Sequence, residues 1–220
     1  MSSGLKGGFT IAVLALALVV GGLGAGMAIT KSGATTTTVT TTSVSVNSTA
    51  SGPYVLTLVI ATNSIFNVSA ADQPAYFVLG PHGLESSASI ALPAHRLIKL
   101  VIVNYDDGNA SLNQAGANTV SGTADGSVFV ASNDNINSTQ GATGIVLTGG
   151  DKVTSVPTYD VAHTFTVQGL NLNVPVPPSS TVVAFFTINK TGTFVWFCLT
   201  ACGDAAMSTP GWMTGSVTAS

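Results

Sequence analysis

Two cysteines, Cys198 and Cys202, stand four residues apart in FVWFCLTACGDAAMSTPGWMTG, residues 194–215, a segment that also carries Met207 and Met213. Soft sulfur selects copper or zinc, and a thiolate pair in an apolar pocket is a place to hold such an ion. A disulfide is equally open to the pair, because a short loop can meet the bond geometry, although so small a ring adds little stability. In TFVWFC the two-residue period of a strand puts Phe194, Trp196 and Cys198 on one face, so Cys198 ends a buried strand among aromatics. Upstream, VAHTFTVQ places Val161, His163, Phe165 and Val167 on one face and Ala162, Thr164 and Thr166 on the other. The His163 imidazole therefore points to the apolar side, where a carbonyl or a metal must satisfy it.

Other chemistries find little support. The chain has three histidines, His82, His95 and His163, and a single glutamate, Glu85. His82 in PHG and His95 in PAH lie in turn-like contexts and read as surface residues. There is no G-x-S-x-G elbow, no H-E-x-x-H helix and no Walker-type loop. Asp106 and Asp107 fall in YDDGN, where Asp and Gly are expected for backbone reasons alone. Charged residues make up 7 % of the chain, the net charge is −3 and Arg96 is the sole arginine. Without a basic patch, nucleic-acid binding through phosphate neutralisation is excluded. A hydrophobic fraction of 45 % nonetheless permits a packed core.

The elements that must position these residues follow from the rest of the pattern. Residues 9–29 carry no charge and are flanked by Lys6 and Lys31, long enough to span a bilayer as a helix. An uncleaved anchor over residues 1–30 is favoured over a signal peptide, because the run exceeds the usual signal length. The free amino terminus and Lys6 outweigh Lys31, which keeps the N-terminus cytoplasmic and the remainder outside. Residues 31–52, KSGATTTTVTTTSVSVNSTASG, have no apolar period and read as a Ser/Thr-rich stalk. Five N-x-[ST] sequons, at Asn47, Asn67, Asn109, Asn137 and Asn189, suit an extracellular glycoprotein.

From residue 53 to 220 the pattern is β. Strands are expected at 54–61, 74–80, 87–92, 97–104, 126–131, 161–168, 180–188, 193–198 and 212–219, rich in Val, Ile, Phe and Thr and bounded by Gly, Pro, Asn and Asp. With no convincing amphipathic helix between them, the expected fold is all-β, a Greek-key sandwich of eight or nine strands behind one transmembrane helix. Residues 105–157, rich in Gly, Asn and Ser, read as a loop insertion.

The order of these features resembles a known family. D160-V-A-H163 is followed by the Pro-rich stretch VPVPPSS, a hairpin turning at NKTG, an aromatic strand, C198-x-x-x-C202-G203 and a last strand opening at Met213. This is similar to the cupredoxins, in particular the binuclear CuA copper domain of haem–copper oxidase subunit II. The resemblance covers about 60 residues, from Asp160 to Val217. It implies copper held by His163, by Cys198 and Cys202 as bridging thiolates, by the Thr200 carbonyl and by the Met213 thioether. The family's second histidine would fall at Ala206 or Pro210, and the loop between Cys202 and Met213 is longer than the family's. Met207 is the replacement ligand that this longer loop offers. Copper, mononuclear or binuclear, is thus the implied cofactor, with an empty site closed by a disulfide as the other outcome.

The function expected on this basis is electron transfer by a membrane-anchored copper protein outside the cytoplasm. Its partners would be redox proteins of a respiratory chain, with a terminal oxidase as the natural one. A single anchor and a long stalk tilt the reading toward a stand-alone carrier rather than a subunit. K6-G7-G8-F9 before an apolar run also looks like an archaeal type IV pilin, which gives the competing reading of a metal-free surface or filament protein.

Overall fold

The computed structural model describes residues 52–65, 72–133 and 150–220. The expected anchor, nearly all of the stalk and the sequons at Asn47, Asn67 and Asn137 lie outside the described residues. Among the described residues no helix is long and apolar enough to cross a membrane.

Twelve strands are present among the described residues: β1 (Tyr54–Thr62), β2 (Pro74–Gly80), β3 (Gly83–Ser86), β4 (Ser89–Leu92), β5 (Leu97–Asn104), β6 (Val128–Ser132), β7 (Asp151–Val153), β8 (His163–Val167), β9 (Leu172–Val176), β10 (Ser180–Thr187), β11 (Gly192–Phe197) and β12 (Thr214–Ala219). One short helix, α1 (Asp204–Ser208), precedes β12. They form a seven-stranded sheet, ordered β3-β2-β1-β5-β10-β6-β7, and a five-stranded sheet, ordered β4-β12-β11-β8-β9. Both are mixed: β1 runs parallel to β5 and β12 parallel to β4, and the other pairs are antiparallel.

The chain repeatedly leaves one sheet for the other, at β3–β4, β4–β5, β7–β8, β9–β10 and β10–β11. One apolar core is therefore shared by the two sheets. Leu58, Ile60, Tyr76, Leu100 and Ile102 enter it from the larger sheet, and Phe165, Val174, Trp196 and Val217 from the smaller. Each large side chain so buried contributes about 1.5–3 kcal/mol of transfer free energy. Trp196 is fully buried, and its indole N–H donates to the Ser87 carbonyl at 3.1 Å. The ring lies against the backbone of β12, where a Cβ on Gly215 would strike Trp196 Nε1.

All nine expected strands exist, with ends displaced by two residues at most. Three others do not follow the simple pattern. β3 and β7 are short and polar. β9 includes Pro175, inside the stretch read as a Pro-rich loop; it is the outer strand of its sheet, where a missing N–H breaks no ladder. The stretch 105–157 adds β6 and β7 to the rim of the larger sheet. It also sends residues 110–121 across one end of the smaller sheet, with Leu112 bridging Thr200 and Ser121 bridging Asn173. The second face of β8 is consequently covered too, and Thr164 and Thr166 are as buried as His163.

Candidate metal centre

The site forms where β8 and β11 part. These strands pair at Phe197 and Thr166. Beyond that point the backbone donors are redirected rather than left unpaired. The Thr164 N–H points at Cys198 Sγ at 3.3 Å, and the Leu199 N–H donates to Thr164 Oγ1 at 2.8 Å. The Cys198 N–H donates to the Met213 carbonyl at 2.9 Å, which ties the first cysteine to the entry of β12. The loop to Cys202 is then pinned by residues 111–113. The Ala201 N–H donates to the Ser111 carbonyl at 3.0 Å and the Asn113 N–H to the Leu199 carbonyl at 2.9 Å.

This framework brings His163, Cys198 and Cys202 together, with the donor atoms all within 4.8 Å of one another. His163 Nδ1 lies 3.2 Å from Cys202 Sγ, and the two sulfurs are 3.2 Å apart. A disulfide would bring the sulfurs to about 2.05 Å, so these are two free thiols. His163 and Cys198 are each 1 % exposed and Cys202 7 %. Thr200 Oγ1 donates to the Ala162 carbonyl at 2.8 Å and lies 3.1 Å from each sulfur.

His163 is also held from behind. Asp106 Oδ2 lies 2.8 Å from His163 Nε2. A carboxylate can only accept, so Nε2 carries a proton in this bond, and Nδ1 is the ring atom that faces the sulfurs. Such outer partners orient metal-binding histidines and raise their basicity. Burial opposes the charged imidazole, but Asp106 and Cys198 outweigh it and raise its pKa. In the thiol pair the roles divide. Burial pushes the Cys198 thiol up, yet its polar contacts with Cys202 and His163, the charge of His163 and the contact with Thr200 prevail and hold it well below its ordinary value. Cys202 moves upward, because its sulfur is hydrogen-bonded to Cys198 and because it is buried.

The donor set fits a soft transition-metal ion. Metal bonds of about 2.0–2.3 Å in a tetrahedral shell put neighbouring donors about 3.5 Å apart, near the two spacings of 3.2 Å. Two sulfurs and one imidazole suit copper and zinc better than any hard cation.

The remaining expected ligands fall around this cluster. Met213 is fully buried in the core that contains both cysteines. Met207, half-buried on α1, packs against the same core. The Thr200 carbonyl accepts the Cys202 N–H at 2.9 Å. The extra residues between Cys202 and Met213 fold into α1, which turns Ala206 inward at 0 % exposure and holds its N–H on Gln73 Oε1 at 2.9 Å. His82 and His95 are exposed, as their turn contexts implied.

Asp106 corrects the sequence reading. It does make the expected turn, accepting the Gly108 N–H on Oδ1 at 3.1 Å. Its other oxygen supports the site, across 57 residues of sequence. Its place straight after the end of β5 was the one available signal. It also lines a cleft of about 330 Å³, with Asp72, Tyr105 and Asp107, so the carboxylate connects the buried imidazole to the surface.

No family model matches the chain, and no curated protein matches it. Solved structures similar to it include a multicopper oxidase at 13 % identity and a TM-score of 0.34, over 76 % of this chain and 43 % of that one. The periplasmic domain of cytochrome oxidase subunit II from Bradyrhizobium japonicum is similar at 10 % identity and a TM-score of 0.32, over 75 % and 83 %. Rusticyanin from Thiobacillus ferrooxidans is similar at 13 % identity and a TM-score of 0.31, over 77 % and 79 %. These neighbours are cupredoxins. The chain spans under half the length of the multicopper oxidase it aligns with. Two mixed sheets with a single short helix are consistent with a cupredoxin-like sandwich.

Proposed function

We propose that this chain is a copper protein that transfers electrons, anchored to the membrane by residues 9–29 with its β-domain outside the cytoplasm. It serves a respiratory chain, passing electrons to a terminal oxidase. The observation that carries the copper reading is the buried cluster of His163, Cys198 and Cys202, with Cys202 Sγ 3.2 Å from both His163 Nδ1 and Cys198 Sγ. Bound copper supplies one-electron chemistry with no substrate bond broken.

The protein's own contribution is to hold the donors still. Each is fixed by backbone at the end of a strand or in a pinned loop, and each has a polar neighbour: Asp106 for His163, the Thr164 N–H for Cys198, and the Thr200 hydroxyl 3.1 Å from both sulfurs. A ligand set that is already in place changes little between oxidation states. Burial keeps substrates and water from the sulfurs, which suits electron transfer better than catalysis. The His163–Asp106 bridge gives a short bonded route from the centre to the cleft. The anchor and the outside location rest on the apolar run, its flanking lysines and the Thr-rich stretch behind it.

The test uses the purified full chain. Added copper is expected to bind tightly, to give thiolate-to-copper absorption that Cys198→Ser abolishes, and to cycle reversibly by one electron. Weak copper binding, or zinc binding with no redox response, overturns the reading. For the location, the chain should fractionate with membranes and its β-domain should be open to protease from outside the cell. Recovery in the soluble cytoplasmic fraction would refute that part.

A further inference from the structure

Two N-x-[ST] sequons fall within the described residues, Asn109-Ala110-Ser111 and Asn189-Lys190-Thr191, and the fold treats them differently. The first is built into the support of the metal centre. Asn109 Nδ2 donates to the Tyr159 carbonyl at 2.8 Å, and the Ala110 N–H donates to the Val161 carbonyl at 3.1 Å. The Ser111 carbonyl accepts the Ala201 N–H at 3.0 Å. The amide nitrogen of this sequon is already bonded, and its backbone joins the approach to His163 with the cysteine loop.

The second sequon lies between β10 and β11, where the chain passes from the larger sheet to the smaller. Asn189, Lys190 and Thr191 are all exposed. Among the described residues, neither the Asn189 amide nor the Thr191 hydroxyl has a hydrogen-bond partner. Lys190 between them is drawn onto the Phe194 ring, its ammonium 5.1 Å from the ring centre. The two side chains that define the sequon are thus left open to another protein, as an acceptor in a surface loop must be. Asn189 and Lys190 also border a cleft of about 380 Å³ with Gln168, Leu170, Asn171 and Thr187. Amides and a hydroxyl, with no carboxylate, give that cleft the donors and acceptors that complement a neutral sugar.

We propose that Asn189 is an N-glycosylation site and that Asn109 stays bare. This rests on the location outside the cytoplasm proposed above. The donor is a lipid-linked oligosaccharide. The bond from its anomeric carbon to the lipid phosphate breaks, that carbon bonds to Asn189 Nδ2, and the nitrogen releases one hydrogen as a proton while the lipid phosphate leaves. The first sugar then has the cleft beside it to rest on. A glycan solvates a surface that has few charges, since charged residues are only 7 % of the chain. It does so away from the copper site. The six residues of β11, at about 3.3 Å each, put about 20 Å of strand between the sequon and Cys198.

The test takes the full chain from the cells that make it and weighs its peptides by mass spectrometry. The peptide containing Asn189 should carry added sugar mass, and the one containing Asn109 should not. Asn189→Gln and Thr191→Ala should each lose that mass and migrate faster on a denaturing gel. Thr191→Ser should keep it, which ties the effect to the hydroxyl rather than to a change of fold. An unmodified Asn189 in a chain whose β-domain is open to protease from outside the cell overturns the proposal and leaves the location standing. Sugar on Asn109 overturns it as well, because the bonded sequon would then be as good an acceptor as the open one. A β-domain enclosed in the cytoplasm overturns both the proposal and the location.

Discussion

Asp106 and Asp125 sit in two turns built the same way, and they end up doing different things. Each carboxylate accepts the backbone N–H two residues ahead, Gly108 at 3.1 Å and Ser127 at 3.2 Å, the local bond that makes Asp a turn residue. The difference lies in the other oxygen. In Asp106 it meets the buried His163, whereas in Asp125 it meets Lys152, with both of those side chains about half exposed. The surface pair is open to water and salt and adds little. The buried partner has no water to fall back on, so the same carboxylate there fixes a tautomer and supports a metal ligand. Two like turns thus separate into scaffold and site by what the fold places opposite them.

Asparagine separates the two roles, because it keeps the turn and removes the charge. The largest effect is expected from Asp106→Asn in the full chain, which should weaken copper binding about 10–100-fold, as read by competition with a chelator of known affinity. Asp125→Asn should leave affinity unchanged. Equal losses in the two variants would mean that carboxylate charge in general, and not the bond to His163, matters to the metal.

Alanine removes turn and charge together. In copper-free protein, Asp106→Ala should cost about 1–3 kcal/mol in urea unfolding, because it strands the buried His163 Nε2. Asp125→Ala should cost less, since water replaces what is lost. A reversed order would break the contrast between site and surface.

The smallest effect belongs to the surface pair. Asp125 is held at about 2, below the ordinary 3.8, chiefly by its bond to Lys152 and then by Ser127. A depressed carboxylate stabilises the fold above its unfolded pKa, and that stabilisation is lost as pH falls through the folded value. The window therefore runs from about 3.8 down to about 2. Lys152→Ala should move the Asp125 carbon resonance titration up toward 3.8, with acid unfolding almost unaltered. A titration that stays put would show that Ser127 and the turn alone hold the charge.

The same division between local and distant runs through the whole molecule. His163 and Cys198 were legible as buried site residues, because the two-residue period of a strand assigns faces without reference to anything distant. The competing disulfide was not decided by spacing; in the folded loop the two cysteines are free, with their sulfurs 3.2 Å apart. β9 escaped notice because Pro175 argues against a strand until its outer position is known. Residues 110–121 read as loop, and they are loop, yet they bury Thr164 and Thr166 and brace the cysteines. Tyr76 stood in an ordinary apolar strand, and nothing nearby in PAYFVLG hints at a buried ring packed edge-on to His163.

What the sequence determined by itself is the β character, the strand positions and the candidate trio of one imidazole and two thiols. These depend on periodicity, turn residues and chemical type, which act over a few residues. What only the tertiary structure decided is which partners surround that trio: Asp106 behind the histidine, Thr200 against both sulfurs, Ala206 on the inward face of α1 and Tyr76 across the core. The physical reason is that burial makes such contacts matter, and burial is set by sheets that join residues far apart in the chain.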